Sequence, residues 1–117
     1  MAGRVLIVDD HAPFRRFARA LLTADGYAVV GEAADGAAAL ELAPRLQPDV
    51  VLVDVHLPDM DGFALAERLA ALPNPPRVVL ISSRDAAGFR VRLGTTPARG
   101  FIAKAELSGP ALSALVR

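Results

Sequence analysis

Val5-Leu6-Ile7-Val8-Asp9-Asp10 is an unbroken aliphatic run that ends on two carboxylates. A run with no polar alternation suits a strand buried on both faces, as in a parallel sheet covered by helices. The form returns at Val50-Val51-Leu52-Val53-Asp54, and again at Gly100-Phe101-Ile102-Ala103-Lys104. Lys104 is the only lysine in a chain that otherwise takes arginine for every basic position. A compact ammonium reaches an oxygen as a point charge where a planar guanidinium would not fit. Three strand-like runs therefore deliver acidic or basic groups at their carboxyl ends.

Helical patterns fill the intervals. After the Arg4–Val8 strand, Pro13 suits a first turn, Phe14, Phe17, Ala18, Leu21 and Leu22 repeat at helical spacing, and Gly26 is a stop. A second strand spans Tyr27–Ala33, and Asp35 can cap a helix through Leu40 towards Leu46, with Pro44 expected to bend it or end it early. Beyond the Val50–Val53 strand, Asp61 can cap a helix bearing Phe63, Ala66, Leu69 and Ala70. Pro73-Asn74-Pro75-Pro76 is a stiff connection to a strand over Val78–Ile81, closed by Ser82-Ser83. Only a short helix fits around Ala86–Leu93, and Ser108-Gly109-Pro110 opens a last helix bearing Leu112, Leu115 and Val116. Five strand–helix alternations with short connections imply right-handed crossovers and a parallel sheet between helix layers.

The 117 residues suit a single domain, 1–117, and 53% hydrophobic composition fills one core. Thirteen basic and thirteen acidic residues cancel, so no overall field favours nucleic acid or an anionic membrane. Without cysteine there is no disulfide, zinc-thiolate site or thiol nucleophile. Met1-Ala2-Gly3-Arg4 leads straight into a strand too short for a signal peptide or membrane span, so a cytoplasmic location is expected.

In such sheets ligands bind beyond the carboxyl ends of the strands, where Asp9, Asp10 and Asp54 should converge. Close carboxylates repel unless a cation joins them, and magnesium is the natural one: hard, oxygen-seeking, and able to keep waters and accept phosphate oxygens. With Lys104 as a further positive charge and Ser82 as a hydroxyl donor, the group is suited to phosphoryl transfer, with Asp54 as nucleophile. Taken singly, an aspartate at a strand end is more often a cap, Ser82-Ser83 more often a turn, and Phe101 more often core. Their joint occurrence on strand ends points to a site.

The chain resembles the receiver domain of bacterial two-component response regulators, CheY-like and most similar to the NarL/LuxR-type branch. The resemblance runs from Val5–Asp10 through Asp54-Val55-His56-Leu57-Pro58-Asp59-Met60-Asp61-Gly62 to Gly100–Lys104, and the branch is marked by Asp9-Asp10-His11 and Lys104-Ala105-Glu106-Leu107-Ser108. It implies a doubly wound (βα)5 flavodoxin-like three-layer sandwich with strand order 2-1-3-4-5. It implies that Asp54 accepts phosphate from a sensor histidine kinase, that Asp10, Asp54 and the backbone carbonyl of His56 bind Mg2+, and that Asp9 acts through water. Lys104 would pair with Asp54 or its phosphoryl group, and Ser82 would bond a phosphoryl oxygen. That movement would couple to Phe101 and to the surface of the fourth helix, fifth strand and fifth helix. The implied partners are the kinase and, for some members, a second copy as a homodimer. Longer members of the branch often carry a helix-turn-helix output domain, but nothing in these residues binds nucleic acid.

Two features depart from the pattern. Ala105 follows Lys104 where the family often has proline in a cis peptide, and a cis bond before alanine costs roughly 3 kcal/mol. The stretch 94–99 is also unusual, which puts the fourth helix in question. His56 and Arg84 lie two residues after Asp54 and Ser82, where the family flanks the phosphoryl group. They are expected to set how readily water attacks the phosphoaspartate, unless both are merely solvated. A degenerate receiver acting by phosphate-independent protein contact is the alternative, against which the full set Asp9, Asp10, Asp54, Ser82 and Lys104 speaks. A turnover phosphohydrolase would need a second acid in a D-x-D arrangement, and the chain reads Asp54-Val55-His56.

Overall fold

The computed structural model describes residues 3–83, 92 and 94–117. Its elements are β1 (Gly3–Val8), α1 (Ala12–Ala24), β2 (Tyr27–Ala33), α2 (Gly36–Leu46), β3 (Val50–Asp54), α3 (Gly62–Ala70), β4 (Arg77–Ser82), β5 (Gly100–Ala103), a 3-10 turn (Lys104–Glu106) and a C-terminal helix (Gly109–Val116). The strands form one sheet in the order β2-β1-β3-β4-β5, every pairing parallel. The α/β class, the parallel sheet and the 2-1-3-4-5 order are as expected. The helix expected around Ala86–Leu93 falls largely outside the described residues.

Strand periodicity sorts the core into two layers. Leu6, Val8, Val51, Val53, Val78 and Leu80 face α2 and α3, where Ala39, Ala43, Phe63, Ala66 and Leu69 complete one cluster. Val5, Ile7, Val50, Leu52, Val79, Ile81 and Ile102 face α1 and the C-terminal helix, meeting Ala18, Leu22, Leu112 and Val116. The central strands read as unbroken apolar runs because both faces are covered. Each fully buried Leu, Ile or Val contributes about 1.5–3 kcal/mol through transfer from water.

The caps are local and legible. Asp35, Asp61 and Ser108 accept hydrogen bonds from Ala38, Ala64 and Ala111 N–H, each satisfying a donor that the helix start leaves unpaired. Past the end of α1, Gly26 takes φ +97, a conformation that favours glycine. Pro44 does not end α2 early, because the helix continues to Leu46. Ala39 and Ala43 hold that helix in the core, and the Gln47 side chain donates to the Pro44 carbonyl at 2.8 Å. The helix then stops as Gln47 adopts φ 51.

Candidate functional site

Strand register alone assembles the site. Val8 pairs with Val53, so Asp9 and Asp54 come level at the point where the chain's crossovers diverge to opposite faces of the sheet. Asp54 pairs with Ile81, and Ser82 pairs with Ala103, so the next residue, Lys104, closes the row. Asp9, Asp54 and Ser82 are the buried polar side chains of the described core.

Lys104 bridges the two buried carboxylates, with Nζ 2.6 Å from Asp9 Oδ2 and 3.3 Å from Asp54 Oδ2. The same ammonium lies 4.6 Å from the centre of the Phe14 ring, a cation–π contact that holds it over the site. Asp9 is fully buried and its Oδ1 accepts the His11 backbone N–H at 2.8 Å. Asp54 Oδ1 accepts the backbone N–H of His56 at 3.1 Å. Asp10 is exposed at the mouth.

Burial raises the Asp54 pKa, and the charge of Asp9 adds to the effect, against the opposing His56 N–H and Lys104 ammonium. Burial would lower the Lys104 pKa, but its hydrogen bond to Asp9 and the charges of both carboxylates outweigh this and raise it. The two shifts thus run together: ionisation of Asp54 is disfavoured and protonation of Lys104 is favoured. Donor atoms of Asp9, Asp10, His11 and Asp54 lie within 4.8 Å of one another. Three hard carboxylates converging beside an exposed edge fit a divalent cation that keeps part of its water shell.

The loop after β3 is pinned from below. Gly62 donates to the Val55 carbonyl at 2.8 Å, and a Cβ at Gly62 would stand 2.5 Å from the Asp54 carbonyl oxygen, so no side chain fits. His56 and Asp61 form an antiparallel bridge across this loop. Asp59 reaches back to accept Gly36 and Ala37 N–H, each at 2.9 Å, and these bonds lower its pKa. Asp61, besides capping α3, pairs with Arg92 at 2.8 Å, and the Arg92 guanidinium covers Phe63 at 4.2 Å.

Of the residues singled out in the sequence, Asp9, Asp10, Asp54 and Lys104 converge directly. Ser82 ends the adjoining strand, His56 follows Asp54 on the exposed side, and Phe101 is half-buried on β5, packed against the α2/α3 cluster. Arg84 lies outside the described residues. The Lys104–Ala105 peptide is trans, as are all the described peptide bonds. Sequence reasoning treated His11 only as a marker of the branch and missed it as a donor, although a histidine following two acids at a strand end was the available signal. Phe14 reads in the sequence as part of an apolar stripe, and its contact with Lys104 appears only in the fold.

The sequence matches the response regulator receiver domain family over residues 5–116. It is 38% identical over 104 residues to a putative transcriptional regulator of Pseudomonas aeruginosa, covering 89% of this chain and 50% of that protein. It is 43% identical over 102 residues to the probable transcriptional regulatory protein NarL of Mycobacterium tuberculosis, covering 86% and 47%. The solved signal receiver domain of the putative response regulator NarL from M. tuberculosis superposes with a TM-score of 0.84 at 38% identity, covering 97% of this chain and 95% of that one. The chain thus spans about half the length of the curated relatives it matches. Among the described residues, no helix is long and apolar enough to cross a membrane.

Proposed function

The chain belongs to the family of response regulator receiver domains of two-component systems, and from that premise we propose that Asp54 accepts a phosphoryl group from the phosphohistidine of a sensor kinase. The observation that carries this reading is the Asp9–Lys104–Asp54 bridge: two buried carboxylates held by one ammonium at the carboxyl edge of the sheet. In the transfer, an Asp54 carboxylate oxygen attacks phosphorus, the phosphorus–nitrogen bond breaks, and the kinase imidazole leaves with the electron pair. There is little covalent work for the protein beyond positioning and charge neutralisation. Asp10, Asp54 and the His56 carbonyl would hold Mg2+, with Asp9 acting through water. The cation supplies charge neutralisation for the phosphoryl oxygens.

Lys104 then exchanges the bare carboxylate for a phosphoryl oxygen, and Ser82 donates its hydroxyl to another. Phosphate favours only the conformation in which both can reach it, so the covalent event becomes a population shift that Phe101 and β5 transmit to the adjoining surface. His56 and Arg84 tune how fast water removes the phosphoryl group. The whole stretch 1–117 acts as one cytoplasmic domain that catalyses only its own phosphorylation and dephosphorylation. Its partners are the kinase and, in the active state, a second copy or an output domain.

Intact-mass spectrometry after incubation with acetyl phosphate tests the reading. One magnesium-dependent phosphoryl adduct, labile to hydroxylamine and absent from Asp54→Asn, is expected. No adduct, together with no beryllofluoride binding, would leave a phosphate-independent interaction module as the better account.

A further inference from the structure

His11 occupies the N-cap of α1, a position that favours Ser, Thr, Asp or Asn because their short side chains bond the helix N–H groups. Its own side chain makes no capping bond. The backbone is nevertheless fixed, with the N–H donated to Asp9 Oδ1 at 2.8 Å and the carbonyl accepting Arg15 N–H at 3.1 Å. So anchored, the imidazole turns from the helix towards the acids. Nδ1 lies 3.2 Å from Asp10 Oδ1 and 3.4 Å from Asp9 Oδ1.

We propose that His11 Nδ1 is a protein ligand to the divalent cation of this acidic site and biases it from Mg2+ towards first-row transition-metal cations, Co2+ more than Mn2+. The inference rests on the acidic site binding a cation, as proposed above, and goes beyond it in ligand set and metal preference. Around an ion about 2.1 Å from each ligand, adjacent octahedral donors stand about 3.0 Å apart and opposite ones about 4.2 Å. The His11–Asp10 separation matches an adjacent edge to within a few tenths of an ångström, while Asp9 stays one water away. The donor atoms of the cluster all lie within 4.8 Å of one another, close to the span of opposite ligands around one ion. Lys104 engages the Oδ2 atoms of Asp9 and Asp54, leaving the imidazole side of the cluster to the cation.

Imidazole nitrogen suits transition metals, whereas Mg2+ prefers oxygen and gives up its water reluctantly. A nitrogen ligand therefore stabilises Mn2+ or Co2+ at this site more than Mg2+. Because the ring is exposed, it can swing in without disturbing the core.

The chain has two histidines, His11 and His56, so each can be tested by substitution. Mn2+ added to the metal-free protein is followed by electron paramagnetic resonance, with spin-echo modulation reporting directly bound imidazole 14N. The expected result is loss of the free-ion signal and strong imidazole modulation in wild type and His56→Ala, with the modulation gone in His11→Ser. Serine keeps a good N-cap, so the helix start survives. Calorimetric titration should show His11→Ser weakening Mn2+ binding about tenfold while changing Mg2+ binding by less than about twofold. Bound Mn2+ without imidazole modulation, or with modulation that survives His11→Ser, would overturn the ligand assignment and leave the acidic site standing. No Mn2+ binding in wild type would overturn both.

Discussion

The acidic half of the site and the lysine half are built differently. Asp9 follows β1 and Asp54 ends β3, central strands whose Val5–Val8 and Val50–Val53 stretches are wholly buried, and Gly62 closes on the Asp54 backbone from below. Lys104 and Phe101 belong to the other side: Ser82 is itself buried at the end of β4, but the neighbouring β5 has four residues, of which only Ile102 is buried, and Phe101 is half-exposed. Dense packing makes the first half resist displacement, and thinner packing lets the second respond at lower cost. Under the proposed phosphorylation of Asp54, the difference separates an acceptor that must hold still from a reporter that must move.

Deleting packing should expose that contrast most strongly. Leu52→Ala, in the fixed half, should fall at the upper end of the range of about 2–5 kcal/mol, and Ile102→Ala, in the responding half, at its lower end, both read from urea denaturation. Comparable losses per methylene removed would erase the distinction. Gly62→Ala should cost about 1–3 kcal/mol, because its Cβ meets backbone atoms and not a movable side chain. The same variant should slow phosphorylation of Asp54, since the strain falls on that residue's own carbonyl.

Asp54→Asn should act in the opposite direction. Its pKa is higher in the fold than in the unfolded chain, so stability is lost as pH rises through the folded value. Removing the charge should raise the denaturation midpoint at pH 7 in chelator, and the gain should close as pH falls below about 4. The smallest effect is expected at Glu32, which Arg19 and Arg15 hold at 2.7 and 3.0 Å. Arg19 leads in lowering the Glu32 pKa, so this stabilisation is present above the unfolded value and is lost as pH falls through the folded one. Glu32→Gln should cost no more than about 1 kcal/mol at pH 7 and less at pH 3, by thermal melts at both.

The fixed half was the more legible in sequence, for the same physical reason. Unbroken aliphatic runs announce strands buried on both sides, and a carboxylate ending such a run has few places to be. Asp35, Asp61 and Ser108 were readable as caps because capping acts over three residues. Early termination at Pro44 did not follow, because the burial of Ala39 and Ala43, a tertiary term, holds the helix on to Leu46. Asp59 on the N-terminus of α2 and Phe14 beneath Lys104 depend on segments 22 and 90 positions apart meeting in space, which residue pattern alone does not encode. His11 was within reach, since its neighbours in the chain are the acids it faces.

On the proposed function, modification at Asp54 leaves the acceptor strands in place and moves Ser82, Lys104 and Phe101. Amide and side-chain NMR shifts of the magnesium-loaded protein, recorded with and without beryllofluoride, test it most directly. Large changes at Ser82, Phe101 and Lys104, with Val5–Val8 and Val50–Val53 nearly still and no response in Asp54→Asn, are the expected result. Shifts spread evenly across the sheet, or confined to Asp54 and its immediate neighbours with Phe101 unmoved, would contradict it.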